Sequence, residues 1–217
     1  MFTYILKTVF CSGLLILVYY LFLEREKIYR FNRFFLLFSI VFSFLIPLIT
    51  IKIRSSAGII PDTIYQSQSN FQNTIIQQTL PFITSHFSLK YFVLLIYGLV
   101  TAYFFCKFII NLSVIFNKVN KHPSVPYLGA KLVLLEDNPV PHSFLKFVFV
   151  NKEDFECGRI EKEIFGHEVA HMNQRHSVDI LFIEFIMIFV WVNPISFLYR
   201  KAIQLNHEFL ADEFVVK

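Results

Sequence analysis

Three long apolar runs constrain the fold of this chain more than any other feature. They cover residues 4–23, 34–51 and 91–110, so each holds 18 to 20 residues. A helix of that length, rising about 1.5 Å per residue, crosses a hydrocarbon core of roughly 30 Å. The chain as a whole is 55% hydrophobic and 17% charged, which is too apolar for an ordinary soluble domain. We therefore expect a multi-pass membrane protein with three transmembrane helices.

The charges between these runs predict the orientation of the chain. Four basic residues stand in the segment 24–33, whereas residues 55–88 contain no lysine or arginine. Because cytoplasmic loops carry the excess of positive charge, residues 24–33 are predicted inside the cell, and the N-terminus and the loop 55–88 outside. Everything after residue 110 then begins in the cytoplasm. The basic residues form no stripe, so we expect no direct binding of nucleic acid.

The composition changes after the third apolar run. Residues 131–136 and 146–151 are short and rich in β-formers, with a proline-containing connection between them, and we predict both as strands. The predicted fold class is a mainly α membrane protein. It has a transmembrane region at residues 1–110 and a small cytoplasmic α+β domain at residues 111–217.

The motif His167-Glu168-x-x-His171 lies among good helix formers. Histidines four residues apart share one face of a helix, which is the spacing that two imidazoles need to bind one Zn²⁺. The glutamate between them is then placed to act as a base on a water molecule. The alternative is a polar helix face that binds no metal.

A protease-type zinc site needs a third protein ligand and an open fourth position. Glu208 and Asp212 stand one helical turn apart further along the chain, and we predict Glu208 as the third ligand. Asp212 would orient His167 or His171 as an outer carboxylate. His207 is a rival ligand, but neighbouring helical positions point about 100° apart, so only one of the pair can face the metal.

The segment 180–201, between the two halves of this site, poses a geometric problem. It resembles a fourth span, yet a full crossing would place Glu208 on the opposite side of the membrane from His167. The Asn-Pro pair at 193–194 leaves about thirteen apolar residues before it, which make roughly 20 Å of helix and cannot cross. We predict a re-entrant or interfacial helical hairpin. Glu184 within it is expected to face protein, since a carboxylate facing lipid is costly.

The motifs "PHSF", "HEVAHMNQRHSVDI", "WVNP" and "HEFLAD", in this order, resemble those of the BlaR/MecR-type membrane zinc metallopeptidases, the beta-lactam sensor-transducers and their relatives. The resemblance covers nearly the whole chain. It implies a gluzincin with His167, His171 and Glu208 as zinc ligands, Glu168 as the catalytic base and Asp212 as the supporting acid. It also implies a bacterial inner-membrane protein that senses an external signal and cleaves a cytoplasmic protein, classically a transcriptional repressor. A homodimer is left open, because the sequence does not determine the oligomeric state.

The chain departs from this family pattern in two ways. Relatives show Pro-Phe-Ser-Phe-Gly where this chain has His142 for the aromatic residue and Leu145 for the closing glycine, so we expect a difference in this loop but not in the metal ligands. The sequence stops at Lys217, whereas relatives continue with membrane and sensor sequence, and we expect a fragment. His176 and Asp179 match the pattern, with helix capping as their expected role.

Two other functions stay open at this point. A housekeeping membrane protease of the HtpX or CAAX-processing sort shares the zinc motif and the distal Glu-x-x-x-Asp, although "WVNP" and "PHSF" favour the sensor type. A non-catalytic signalling scaffold would close a structural metal site with a fourth ligand, from His142, His176 or His207. Glu168 argues against the scaffold, because a structural site needs no base. For a protease, the strand at 146–151 either pairs with an extended substrate or is an ordinary core strand.

Overall fold

The computed structural model describes residues 2–49, 89–127, 129–136 and 140–216. The predicted outer loop and the end of the second apolar run lie outside these residues. Among the described residues, 2–49 and 97–216 belong to one compact unit by their contacts. The described part is mostly helical with a small mixed sheet, which confirms the coarse fold class. The predicted division at residue 110 stays a prediction.

Three helices have the length and hydropathy of membrane spans, and they coincide with the three predicted runs. Helix α1 covers Phe2–Val18 and continues as a π-helical turn over Tyr19–Leu23. Helix α2 covers Tyr29–Leu45 and ends in a 3₁₀ turn over Ile46–Leu48, where a proline lacks the backbone donor that a further turn needs. Helix α3 covers Leu89–Lys121.

Helix α3 continues well beyond the predicted end of the third run. Its 33 residues make about 50 Å of helix, more than a hydrocarbon core requires. Ile115 and Val119, in its last turns, pack against Val133, Leu135 and Phe149 of the sheet. These turns mix polar and apolar residues, so the apolar run alone could not predict them.

The sheet contains the two predicted strands and two shorter ones. Its strands are β1 (Ser124–Tyr127), β2 (Ala130–Leu135), β3 (His142–Phe144) and β4 (Phe147–Asn151), in the order β1-β2-β4-β3. Strands β2 and β4 are parallel, and the two outer pairs are antiparallel. Because β4 has neighbours on both sides and is buried from Val148 to Asn151, it is a core strand. The alternative that it pairs with a substrate is wrong.

Packing against the sheet sets the position of the helix that carries the His-Glu-x-x-His motif. A short helix α4 (Lys152–Glu156) leads from β4 into helix α5 (Lys162–Asn173). Alternate residues of β2 and β4 form a buried cluster with Phe165 and Met172, which lie on either side of the motif. The other alternate residues face α3, because successive side chains of a strand point to opposite faces. Burial of this apolar surface therefore sets the position of α5.

Helices α6 (His176–Phe189) and α7 (Ile195–Val216) form the predicted helical hairpin. Helix α6 ends at Phe189, four residues before the Asn-Pro pair, and α7 begins directly after that pair. The side-chain oxygen of Asn193 accepts a hydrogen bond of 3.0 Å from the first N–H of α7, and its amide donates to Ser12 Oγ of α1 at 3.1 Å. The break is therefore a helix cap that is tied to a neighbouring helix. Its depth in a membrane stays a prediction.

The hairpin packs against α1 and α2. Glu184 of α6 forms an ion pair of 2.8 Å with Arg200 of α7, so it faces protein as predicted. A buried apolar cluster joins the four helices, and its members are Ile16, Tyr19, Leu36, Ile40, Ile183, Tyr199, Ala202 and Ile203. Helix α7, which carries Glu208, is therefore held against both of these membrane-span candidates.

Candidate metal centre

The three predicted metal ligands converge where α5 and α7 lie side by side. Nε2 of His167 is 2.9 Å from Nε2 of His171 and 3.2 Å from Oε2 of Glu208. Nε2 of His171 is 3.7 Å from the same carboxylate oxygen. These ligand atoms all lie within 4.8 Å of one another, and the group could hold one metal ion.

The spacing of these three atoms suits a small divalent ion. Donor atoms bound about 2.0–2.1 Å from a tetrahedral ion are roughly 3.3 Å apart. The observed distances of 2.9, 3.2 and 3.7 Å lie on both sides of that value. Two imidazoles and one carboxylate are donors that several divalent metals accept, so the geometry fits zinc without being specific to it.

Asp212 contacts one of the two histidines that it was predicted to orient. Its Oδ1 is 3.1 Å from Nδ1 of His167. A proton on Nδ1 that is donated to Asp212 leaves the lone pair of Nε2 free for a metal, and it also fixes the rotation of the ring. Glu208 and Asp212 are one turn apart on α7, so a single helix face supplies both contacts.

His171 is held by His176, a residue for which the sequence predicted a capping role or, in the scaffold alternative, a role as fourth metal ligand. Their Nδ1 atoms are 2.8 Å apart. Burial, together with His207 and His171, lowers the pKa of His176 to about 2, so His176 is neutral. With Nε2 of His171 bound to a metal, Nδ1 of His171 would carry the proton and donate it to His176. A left-handed turn at Arg175, with φ of 56°, reverses the chain between α5 and α6. That reversal brings His176 back to His171.

The contacts continue from His176 to α2. The imidazoles of His176 and His207 are parallel, with centroids 4.0 Å apart. His207 Nε2 donates to Oδ2 of Asp179 at 2.9 Å, and Arg33 Nε donates to the same oxygen at 2.6 Å. Burial raises the pKa of Asp179, but the hydrogen bonds from His207 and Arg33 outweigh it and hold the pKa below its ordinary value. His207 therefore contacts Asp179 and does not belong to the ligand group.

Glu168 faces a cleft of about 320 Å³ beside the ligand group. Burial raises the pKa of its carboxyl, although a hydrogen bond from Ser143 and the charges of His167 and His142 act in the opposite direction. Ser143 belongs to β3, the end strand of the sheet. The candidate base therefore lies next to a strand edge.

The loop that departs from the family pattern keeps an ordered geometry. The ring of His142 stacks on Phe149, with centroids 4.9 Å apart and planes at 12°, so it packs as an aromatic residue would. Leu145 has φ of 54°, a left-handed conformation that glycine adopts without steric cost. Its N–H donates to Ser177 Oγ at 2.9 Å. The glycine of the family pattern would suit this backbone.

The three histidines considered as a closing ligand all have other contacts. His142 stacks on Phe149, His176 contacts His171, and His207 contacts Asp179. Among the described residues, the ligand group thus has three members. No protein-family model matches the chain, and no match is found among curated proteins.

Proposed function

We propose that this chain is a membrane-bound, zinc-dependent endopeptidase of the BlaR/MecR sensor-transducer type. The observation that carries the proposal is the convergence of His167, His171 and Glu208 beside Glu168 in one cleft. Two histidines and a glutamate form a donor set of catalytic zinc sites in metallopeptidases. The ordered sequence motifs favour the sensor type over a housekeeping protease.

The number of ligands supports a catalytic site over a structural one. Structural zinc sites are closed by four protein ligands, whereas catalytic sites keep one position open. The group in the described part of the chain has three. Glu168, which a structural site does not need, lies beside them and is held by the hydroxyl of Ser143.

The chemistry divides between the metal and the side chains around it. When bound, zinc supplies Lewis acidity that makes a water molecule more acidic and polarises a carbonyl. The Glu168 carboxylate would accept the proton of the attacking water and deliver it to the leaving amine. Ser143 would keep that carboxylate in position. Asp212 and His176 would hold the rings of His167 and His171.

Strand β3 offers a place for an extended substrate. It is the end strand of the sheet, and its residues His142, Ser143 and Phe144 line the cleft together with Glu168. A peptide that pairs with the open edge of β3 would lie along the cleft, because added strands bind through main-chain hydrogen bonds. The peptide bond to be cleaved would then pass Glu168.

The same proposal places the site at the cytoplasmic face of a bacterial inner membrane. Residues 24–33 are cytoplasmic by the positive-inside rule. Arg33, at the end of this segment, is 2.6 Å from Asp179 of α6, so the beginning of α6 lies at the level of the basic loop. The proposed substrate is a cytoplasmic protein such as a transcriptional repressor, and the proposed signal comes from outside.

Zinc content of the purified protein in detergent tests the metal site. We expect about one zinc per chain in the wild type and in Glu168→Ala, and a loss of zinc in Glu208→Ala, because Glu208 supplies a ligand atom and Glu168 does not. Zinc retained as tightly by Glu208→Ala as by the wild type would contradict the ligand set.

Peptide cleavage in proteoliposomes tests the chemistry. The wild type is expected to cleave members of a fluorogenic peptide library, and Glu168→Ala is expected to lose this activity while keeping its zinc. Equal rates of cleavage by the wild type and Glu168→Ala would show that Glu168 is not the catalytic base. Zinc binding without cleavage of any peptide or candidate repressor would favour the scaffold.

A further inference from the structure

We propose that Arg33 of α2 positions the metal ligand His171 through Asp179, His207 and His176. The metal site would then be supported by a helix that is a candidate membrane span. This inference rests on the proposed metal site. It concerns the residues that hold His171 in place and is independent of the peptide chemistry.

The first step is the contact between His171 and His176. Nε2 of His171 faces the other two ligand atoms, and its Nδ1 contacts Nδ1 of His176. His176 is only 3% exposed, and its own Nε2 has no hydrogen-bond partner among the described residues. The orientation of the His176 ring is therefore set by its contact with His171 and by what packs against its face.

The second step is the stack between His176 and His207. The two rings are 4.0 Å apart and within 3° of parallel. His207 is 2% exposed, and the hydrogen bond from its Nε2 to Asp179 fixes its rotation. Asp179 thus determines the plane of His207, and His207 limits the plane of His176.

The third step is the charge of Arg33. Asp179 is 8% exposed, and its carboxylate is buried beside the ring of His207. Arg33 supplies the compensating positive charge through the Nε contact of 2.6 Å. Removing one partner of a buried ion pair leaves an uncompensated charge that must move or take up a proton. In either case the stacked rings of His207 and His176 would lose the Asp179 carboxylate that holds His207 in place.

Helix α2 is attached to the hairpin at a second point. The side-chain amide of Asn206 in α7 donates to the carbonyl oxygen of Tyr29 at 3.0 Å. The first turns of α2 therefore contact both α6, through Asp179, and α7, through Asn206. A displacement of α2 that separates Arg33 from Asp179 would loosen the contacts that hold His171. Movement of a candidate membrane helix could in this way change the geometry of a metal ligand.

Zinc affinity, measured by competition with a chromophoric chelator, tests this support. Arg33→Gln is compared with Arg30→Gln, which removes the same charge from an exposed position on the same helix. Loss of outer contacts to a metal ligand weakens binding by about 10- to 100-fold. We expect a loss of about tenfold for Arg33→Gln and a change under about twofold for Arg30→Gln, since only Arg33 contacts Asp179.

The absorption spectrum of the Co²⁺-loaded protein separates positioning from general destabilisation. At saturating Co²⁺, the visible bands of Arg33→Gln should shift, because the imidazole of His171 can take other orientations, whereas those of Arg30→Gln should not. Asp179→Asn should shift the Co²⁺ bands in the same way. A double variant that combines Arg33→Gln with Asp179→Asn should bind zinc no more weakly than the poorer of the two single variants, since both changes act on His171 through the same contacts.

Two results would overturn the proposal that Arg33 positions His171, and only the second would also overturn the proposed metal site. Wild-type affinity and spectrum in Arg33→Gln, while Glu208→Ala loses the metal, would remove the support and leave the proposed metal site standing. Equal metal binding by the wild type and Glu208→Ala would remove both. If Asp179→Asn does not fold, Arg33→Gln alone decides, because its change lies furthest from the ligands.

Discussion

Asp212 Oδ1 lies 3.1 Å from Nδ1 of His167, on the other side of the ring from the nitrogen that approaches His171 and Glu208. The Asp212 carboxylate therefore contacts one nitrogen of the His167 imidazole, and the candidate metal position lies at the other nitrogen. A carboxylate in this position fixes the tautomer and makes the ligating nitrogen more basic.

Asp212→Asn should weaken zinc binding without abolishing it. The amide oxygen can still accept the proton of His167 Nδ1, but the negative charge is lost, so we expect about a tenfold loss of affinity with unchanged stoichiometry. Chelator competition measures both. Glu163→Gln, at an exposed acidic position of α5, is the matched control. Equal affinities of Asp212→Asn and the wild type would show that this contact does not tune the ligand.

Leu145 is expected to store backbone strain. Its left-handed conformation costs an L-residue roughly 1–2 kcal/mol that glycine does not incur. Leu145→Gly and Leu145→Ala both remove every side-chain atom beyond Cβ, so their comparison mainly tests the backbone conformation. We expect Leu145→Gly to be the more stable by about 1 kcal/mol, measured by denaturant unfolding in detergent. A more stable alanine variant would contradict the strain.

The Arg33–Asp179 ion pair should contribute a pH-dependent part of the stability. The pKa of Asp179 is lowered from 3.8 in the folded protein, so its contribution is present above the unfolded pKa and is lost as the pH falls through the folded pKa. The melting temperature of the wild type should exceed that of Asp179→Asn by a steady amount above about pH 5. The difference should narrow below about pH 4. A difference independent of pH would mean that the carboxylate charge contributes nothing.

Asn193 should be important for the packing of the hairpin. It caps α7 and contacts Ser12 Oγ, and the loss of an N-cap typically costs about 0.5–2 kcal/mol. We expect Asn193→Ala to lower the unfolding free energy by that amount and Asn173→Ala, at an exposed position of α5, to leave it nearly unchanged. Since Asn193 and Ser12 interact, Ser12→Ala should cost less in the Asn193→Ala background than in the wild type.

Local periodicity predicted much of the fold and of the candidate site. The three apolar runs coincide with α1, α2 and α3, and the two β-rich segments coincide with β2 and β4. The two histidines of the motif share a face of α5 because four residues make about one helical turn. Helix α6 already ends at Phe189, and the Asn-Pro pair lies in the connection, where Asn193 caps the start of α7. The hairpin then returns Glu208 to His167.

Contacts between distant segments could not be predicted in this way. Arg33 and Asp179 are 146 residues apart, and the sequence marks Arg33 only as one of several basic residues that set orientation. His176 looked like a cap because its contact with His171 depends on the left-handed turn at Arg175. Strands β1 and β3 are too short for a periodic signal, and they form only because β2 and β4 offer them edges.

The place of Glu208 in α7 has a consequence for how the protein matures. The ribosome makes His167 41 residues before Glu208, and Glu208 reaches the two histidines only when α7 has packed on α1 and α2. A nascent chain therefore holds an incomplete set of candidate ligands until α7 has been made and has packed. In the proposed metallopeptidase, metal binding would then follow the packing of α7, so the enzyme would be inactive until its helices are assembled, and a bound ion would mark a correctly assembled molecule.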